Sequence, residues 1–152
     1  MYTEHLTQAL AIGGAPIHAQ QLTSTTTLTT GKVDLALVHR CLFVLDLGVF
    51  GGTSPTCAAV LTVQESPDGA TWTNNGTVSA LTVAAASSIG TSEVRADQLG
   101  AGKRYVRASV VFTIGGTTPT IPVVCVPLTG EAIHKPNSVN NDVSVVSQQV
   151  TT

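Results

Sequence analysis

One six-residue motif occurs twice in this chain and constrains its fold more than any other feature. The motif reads GGTSPT at residues 51–56 and GGTTPT at residues 115–120, and strand-like sequence lies on both sides of each copy: HRCLFVLDLGVF and CAAVLTVQE, then RYVRASVVFTI and IPVVCVPL. Glycine can adopt the positive φ that a tight turn needs, and proline restricts how the chain leaves it. We therefore expect two related hairpins, each with a loop of about four to six residues.

The composition favours sheet over helix. The 152 residues include 23 Thr and 20 Val, whereas only six are aromatic and 11% are charged. β-Branched side chains are stiff and suit the half-buried surface of a sheet. A chain of this length forms about one domain. We expect an all-β protein with under ~10% helix: a β-sandwich or flattened β-barrel built from two related hairpins, with extended N- and C-terminal arms.

Alternating side chains assign an inner face to two of the strands. The apolar residues of the first strand and of the penultimate strand recur at every second position and are expected to face the core: Cys41, Phe43, Leu45, Leu47, Val106, Ala108, Val110 and Phe112. The last strand, residues 121–128, is apolar on both faces, which is typical of a central strand or of one that an interface covers. Shorter strands are expected around residues 77–83 and 91–96.

The segment VQESPDGATWTN contains the strongest turn signal in the chain. Pro67 presets the first corner of a turn, and Gly69 suits its end. Trp72 follows the turn directly and is the only tryptophan. We expect its ring to cap one end of the core; the functional alternative is a platform on which a sugar stacks.

Two less patterned segments flank the expected core of residues 32–130. Residues 1–31 are Thr-rich and are expected to form an extended N-terminal arm or an edge strand, with one short helical turn between residues 4 and 11. Residues 131–152 are expected to form an extended C-terminal arm. Its sequence DVSVVSQQV alternates, which predicts a strand that adds to the sheet edge of a neighbour. The partner-binding candidates in this arm are Val143, Val145, Val146 and Val150.

Charge is scarce and gives one candidate surface. Lys103, Arg104 and Arg107 form a basic cluster that is a candidate for contact with an acidic protein partner; the alternative is the polar rim of a strand. The formal net charge is −2, so no nucleic-acid partner is expected. There is no run of ~18 apolar residues, so no membrane span is expected. The first residues lack a basic stretch followed by an apolar run, so secretion is not expected either.

The residues give no support for catalysis. None of the four histidines has a two-histidine metal spacing, and no phosphate-binding loop, dinucleotide motif or nucleophile elbow is present. Glu65 and Asp68 flank a turn and are expected to be solvated. Cys41 lies two residues from His39, but no third group that would orient such a pair is evident. We therefore expect no enzyme activity, no cofactor and no bound metal.

The three cysteines are too few and too widely spaced for a disulfide scaffold or a zinc cluster. Cys41, Cys57 and Cys125 have apolar neighbours in the sequence, which favours buried free thiols. A disulfide between two of them stays open as an alternative and would leave one thiol unpaired.

Three of these motifs together resemble a known family. The segments are Gln64 to Trp72, then the Arg104 to Ala108 strand RYVRA, then Gly115 to Pro119. This combination resembles small β-rich structural proteins of tailed bacteriophages over about residues 33–130. The resemblance implies a virion protein, either a capsid decoration (cement) protein or another head protein. The long N-terminal segment and the C-terminal tail depart from the shorter members of the family.

The resemblance also predicts binding partners and a location on the virion. It implies a protein on the surface of the phage head, made in the host cytoplasm and not secreted. The expected partners are the major capsid protein and further copies of the chain, as a homotrimer at local threefold positions, with the arms bridging to neighbours. Two alternatives stay open: a carbohydrate-binding β-sandwich module of a tail fibre, and another structural component of the head or tail.

Overall fold

The structure is a computed structural model that describes residues 5–134 and 136–147. Strands make up 57% and helices 8%, so the prediction of an all-β protein with little helix is confirmed. Ten strands form one antiparallel sheet. This sheet curls into a half-barrel, and the inner faces of its two halves enclose a common core.

The short helix α1 (Leu6–Ala9) opens the described chain and confirms the helical turn expected there. The ten strands follow in the order β1 (Ala11–Ile12), β2 (Ile17–Leu22), β3 (Thr26–Thr29), β4 (Val33–Asp34), β5 (Val38–Leu47), β6 (Gly51–Ser66), β7 (Thr73–Asn74), β8 (Leu81–Val83), β9 (Ser88–Arg95) and β10 (Tyr105–Ala132). Two 3₁₀ helices, Ala96–Gln98 and Asn137–Asn140, lie before and after β10.

The sheet has two halves that share the long strand β10. Half I contains β1, β2, β5, β9 and the part of β10 from Ile121 onward. Half II contains β3, β4, β6, β7, β8 and the part of β10 before Ile121. β10 is therefore central in both halves, with the N-terminal strands on one side and β5 and β6 on the other.

The two copies of the repeated motif are bends that carry the chain from one half to the other. β5 pairs not with β6 but with the C-terminal part of β10, where Val44 lies opposite Val126. β6 pairs with the N-terminal part of β10, where Thr62 lies opposite Ser109. The expectation that each repeat closes its own hairpin is thereby corrected, because each strand of one repeat has its partner in the other repeat.

The two bends lie side by side and have matching backbones. Thr53 pairs with Thr117, Gly51 with Thr120 and Gly115 with Thr56. Gly52 and Gly116 have φ values of 105° and 109°, and the serine and threonine two residues further along, Ser54 and Thr118, have φ values of 50° and 48°. The repeats are thus related by an approximate twofold axis that passes between the bends.

The inner faces of both halves form one core, as the alternation predicts. All eight residues assigned to the inner face in the sequence are fully buried. Phe43 and Phe112 are the largest of these, and Leu61, Val63 and Ile121 pack in the same cluster. At roughly 25 cal/mol per Å² of buried apolar surface, such a cluster is the main source of stability. All three cysteines are buried as predicted, and the structure has them as free thiols.

The N-terminal segment belongs to the sheet. Ile17 and Leu22 of β2 are buried in the core, and β1 to β4 run antiparallel to β10 over almost its full length. Of the two expectations for residues 1–31, the edge strand therefore describes residues 11–29 better than an arm that leaves the domain. The physical reason is that the outer edge of β10 would otherwise present unpaired N–H and C=O groups.

The described part of the C-terminal segment folds back on the N-terminal segment. The amide of buried Asn137 donates to the carbonyl oxygens of Ala9 at 3.1 Å and Thr129 at 2.7 Å. Ile12 donates its N–H to Asn141 and accepts one from Asp142. Residues 143–145 form a turn where the alternating sequence predicted a strand. Asp142 accounts for this difference, since its oxygens accept bonds from residues 144–146 and hold the chain in a turn.

Candidate partner-binding surfaces

The outer faces of the two halves differ in character although the inner faces are alike. The outer face of half I carries large apolar side chains from its two central strands, and we call it the apolar face: Leu42 and Val44 of β5 and Val124, Val126 and Leu128 of β10. These side chains are half-buried. An antiparallel sheet that faces water on one side normally alternates apolar with polar residues, so this face differs from an ordinary solvated surface.

The approximate twofold axis allows equivalent outer positions of the two halves to be compared. Val126 and Leu128 occupy the positions in half I that Thr62 and Gln64 occupy in half II, counted from the two bends. The inner positions before and between them stay apolar in both repeats: Leu61 and Val63 in one, Cys125 and Pro127 in the other. The repeats have thus kept a common inner face and diverged on the outer one. The sequence signal was the last strand, which is apolar on both faces.

Carboxylates surround the apolar face. Arg40 lies between two of them, 3.3 Å from Glu93 and 2.9 Å from Glu131. Asp46 lies at the opposite end of β5 and lines a shallow cavity of about 380 Å³ together with Pro122 and Val124. Arg95 lies opposite Arg40 on β9 and is paired with Asp97. The rim of the apolar face therefore carries four carboxylates and two guanidinium groups.

The outer face of half II carries Val60 and Val111 near the bends, whereas the end that contains Tyr105 and Arg107 is basic and partly aromatic. We call this end the basic face. The guanidinium of Arg107 stacks on Trp72, with its central carbon 4.3 Å from the ring centroid, and donates to Gln64 at 2.9 Å. Tyr105 lies two residues earlier on the same face. Its ring centroid is 5.2 Å from the Lys32 ammonium nitrogen and 5.2 Å from the central guanidinium carbon of Arg104. Burial lowers the pKa of Arg107 somewhat.

The basic cluster predicted from the sequence is only partly assembled. Arg107 lies on the basic face with Trp72, Arg104 forms a two-pronged ion pair with Asp34, and Lys103 contacts the Thr73 hydroxyl at 3.4 Å. Trp72 does not cap the core as expected. Its position just after the turn places it on the outside of β6 and β10, where Arg107 covers the ring.

Exposed apolar side chains concentrate where the two terminal segments meet. Nine large apolar side chains are exposed in the described part of the chain. Six of them lie on or beside these segments, and we call this surface the terminal patch: Leu6, Leu10, Leu37, Ile133, Val139 and Val143. Among the predicted partner-binding residues, Val143 is 88% exposed, Val145 and Val146 are half-buried, and Val150 lies outside the described residues.

The groups considered for catalysis are held in structural roles. Cys41 is fully buried while His39 is exposed, so the two do not form a pair. Burial raises the pKa of all three thiols, that of Cys125 to about 12. Glu65 is buried rather than solvated, and its carboxylate accepts bonds from Asn75 at 2.6 Å and from the Gly100 N–H at 3.1 Å.

Asp68 stays on the surface and stabilises the turn that the sequence predicted. Its carboxylate accepts the backbone N–H groups of Thr71 and Ala70 and the hydroxyl of Ser66. These bonds hold the pKa of Asp68 well below its ordinary value. Both acidic residues are thus engaged in local hydrogen bonding, Glu65 inside and Asp68 outside.

Over residues 5–134 and 136–147, no cluster of three or more His, Cys, Asp or Glu side chains is arranged to bind a metal ion. The same residues contain no helix that is long and apolar enough to cross a membrane. Comparisons with protein-family models, with curated proteins and with solved structures found no match.

Proposed function

We propose that this chain is a non-enzymatic structural protein of a tailed bacteriophage, which decorates the outside of the head and stabilises the shell. Its partners would be the major capsid protein and further copies of the chain. The proposal rests on the family resemblance of residues 33–130 and on one observation in the fold, the terminal patch. Contiguous exposed apolar surface marks sites of protein–protein contact.

The terminal patch is suited to contact with a shell protein. It combines side chains from both ends of the chain, and Asn137 holds the two segments together through bonds to Ala9 and Thr129. Leu6 and Val143 are its most exposed members, at 77% and 88%. A decoration protein binds in many copies, so a modest apolar contact is multiplied over the lattice.

The first test uses particles of the phage that encodes this chain. Purified particles should contain the protein in many copies, and antibodies against it should label the outside of the heads in electron micrographs. Labelling of the tail would favour the alternative of a tail component. Particles that lack the protein altogether would overturn the proposal.

The second test asks whether the terminal patch is the binding surface. Heads stripped of the protein should bind the double variant Leu6→Ser, Val143→Ser at least about tenfold more weakly than the original chain. The matched control is Val49→Ser, which removes an apolar side chain that is 74% exposed between β5 and β6 and should bind normally. Point substitutions are preferred to deletion of residues 131–152, because that deletion also removes Asn137.

A carbohydrate-binding module has less support. A sugar-binding site would need an open aromatic face, and Arg107 covers one face of the Trp72 ring. Stacking of a sugar on that face would have to displace a guanidinium that is also bonded to Gln64.

A further inference from the structure

We propose that copies of this chain associate head to tail, with the apolar face of one copy packed against the basic face of the next. This inference deepens the self-association in the proposed function and rests on it for its setting on a particle. The geometry and the charges of the two faces carry it, and it can be tested on the isolated protein.

The first step is that the apolar face is built for contact. The repeats are related by an approximate twofold axis, yet half I has Val126 and Leu128 where half II has Thr62 and Gln64. The core does not require this difference, because the side chains point outward. Leu128 also lines a depression with Leu6 and Leu10, so the apolar face adjoins the terminal patch at this end, whereas Val126 lies nearer the middle of the sheet. Burial against another molecule is what favours large apolar residues on the outer face of a sheet.

The second step is that charge disfavours contact between the apolar faces of two copies. The rim of the apolar face carries four carboxylates, those of Asp46, Glu93, Asp97 and Glu131, against the two guanidinium groups of Arg40 and Arg95. Two such faces packed together would bring a net negative charge against itself. Like charges placed opposite each other across an interface disfavour that pairing.

The third step is that the basic face has the opposite charge. It carries four cationic side chains near two carboxylates, those of Asp34 and Asp68: Lys32, Lys103, Arg104 and Arg107. Arg107 interacts with the neutral groups Gln64 and Trp72, so its charge is available to an acidic neighbour. The acidic rim of one copy and the basic face of another are therefore complementary.

The fourth step concerns the residue types on the basic face. Trp72, Tyr105 and Arg107 form one stacked group with Arg104 and Lys32. Tryptophan, tyrosine and arginine are the residues that most often dominate binding energy at protein interfaces. A Trp–Arg pair held over a sheet presents a broad, partly apolar surface, which can pack against the valines and leucines of the apolar face.

Contact between two different faces is heterologous, so it leaves one free face at each end of a pair. Such contacts close into a ring, as in the proposed homotrimer, or continue as an open chain, according to the angle between the faces. Either assembly exceeds a dimer. The size of the assembly therefore distinguishes head-to-tail association from a twofold dimer.

The test is sedimentation of the purified chain at increasing concentration, together with two face variants. Val126→Thr with Leu128→Gln gives the apolar face the residues of its repeat counterpart, and Trp72→Ser with Arg107→Gln removes the anchors of the basic face. The original chain should form species larger than a dimer, and association should weaken as salt is added. Each face variant alone should be monomeric, with self-association at least about tenfold weaker.

Mixing the two variants gives the decisive result. Each retains one intact face, so an equimolar mixture should form dimers and nothing larger. Monomeric behaviour of the original chain at all concentrations would overturn the proposal. So would dimers of the basic-face variant alone, which would show that two apolar faces pair with each other. Circular dichroism and thermal melting should show that both variants are folded.

The variant Val143→Ser separates this proposal from the proposed function. Val143 lies on the terminal patch, so this variant should self-associate like the original chain. If heads bind the face variants normally while self-association is lost, head binding does not depend on head-to-tail contact. If self-association persists but heads do not bind the original chain, the proposed function fails and the head-to-tail contact stands.

Discussion

Thr118 has a φ of 48°, in the left-handed region that β-branched residues rarely adopt. Asparagine tolerates this region because its short polar side chain can bond to the local backbone. We expect Thr118→Asn to raise the free energy of unfolding by about 1 kcal/mol. The neighbouring Thr117 pairs with Thr53 inside the sheet, so Thr117→Asn serves as the control and should give no gain. Urea denaturation of both variants measures the difference.

Asp68 should make stability depend on acid pH. Its pKa is lowered in the folded protein by bonds from Thr71, Ala70 and Ser66, whereas in the unfolded chain it is about 3.9. A lowered folded pKa means that the unfolded state binds the proton first, so the stabilisation is complete above about pH 5 and is lost as the pH falls through the folded pKa.

The corresponding measurement compares melting temperatures of the original chain and Asp68→Asn between pH 7 and pH 2. The original chain should be the more stable at neutral pH, and the gap should shrink as the pH falls below about 4. Asp97→Asn is a suitable control because Asp97 is an exposed aspartate that forms an ion pair with the likewise exposed Arg95. A gap that is constant over this pH range would contradict the assignment.

At the scale of elements, Asn137 joins the two ends of the chain. Its amide bonds the carbonyls of Ala9 and Thr129 in a fully buried position. Asn137→Ala leaves both acceptors without this donor and should lower the free energy of unfolding by about 1–3 kcal/mol. Backbone amides of residues 8–12 should also exchange faster with solvent.

The matched control for Asn137 is Asn140→Ala, since Asn140 donates only a part-buried bond to the Asn137 side chain. Loss of this hydrogen bond should lower the free energy of unfolding by less than about 1 kcal/mol. Equal effects of the two substitutions would show that Asn137 does not hold the terminal segments together.

At the scale of the whole molecule, the two halves should unfold together. β10 is central in both halves and the core is a single cluster, so neither half can lose its packing alone. Trp72 reports on half II through its fluorescence. In a Cys57→Ala background, which removes the thiol of half II, Cys41 and Cys125 report on half I through their reaction with a water-soluble thiol reagent. Burial raises the pKa of both thiols, so they should react slowly until the protein unfolds.

The Trp72 fluorescence and the thiol reaction should therefore both change at the same urea concentration. Gly116→Ala should lower that midpoint for both probes, because a Cβ at this position would lie 2.7 Å from the Ser54 carbonyl oxygen. Two separate transitions would contradict the single cooperative unit.

Local patterns in the sequence were sufficient for several features. The every-second-residue periodicity predicted the buried faces of β5 and β10, the Pro67–Gly69 signal predicted the turn, and apolar flanks predicted buried cysteines. The short helix α1 was also expected. Each of these depends on neighbours within a few positions of one another, where backbone geometry and side-chain alternation act directly.

The tertiary structure alone decided which segments meet. A repeated strand–turn–strand unit is compatible with pairing inside each unit or between the units, and the sequence period is the same in both cases. Only the folded chain places β5 and β6 against β10, Arg107 over Trp72, and Asn137 between Ala9 and Thr129. These contacts join residues far apart in the chain, and their energies depend on how all the strands pack, which no local pattern encodes.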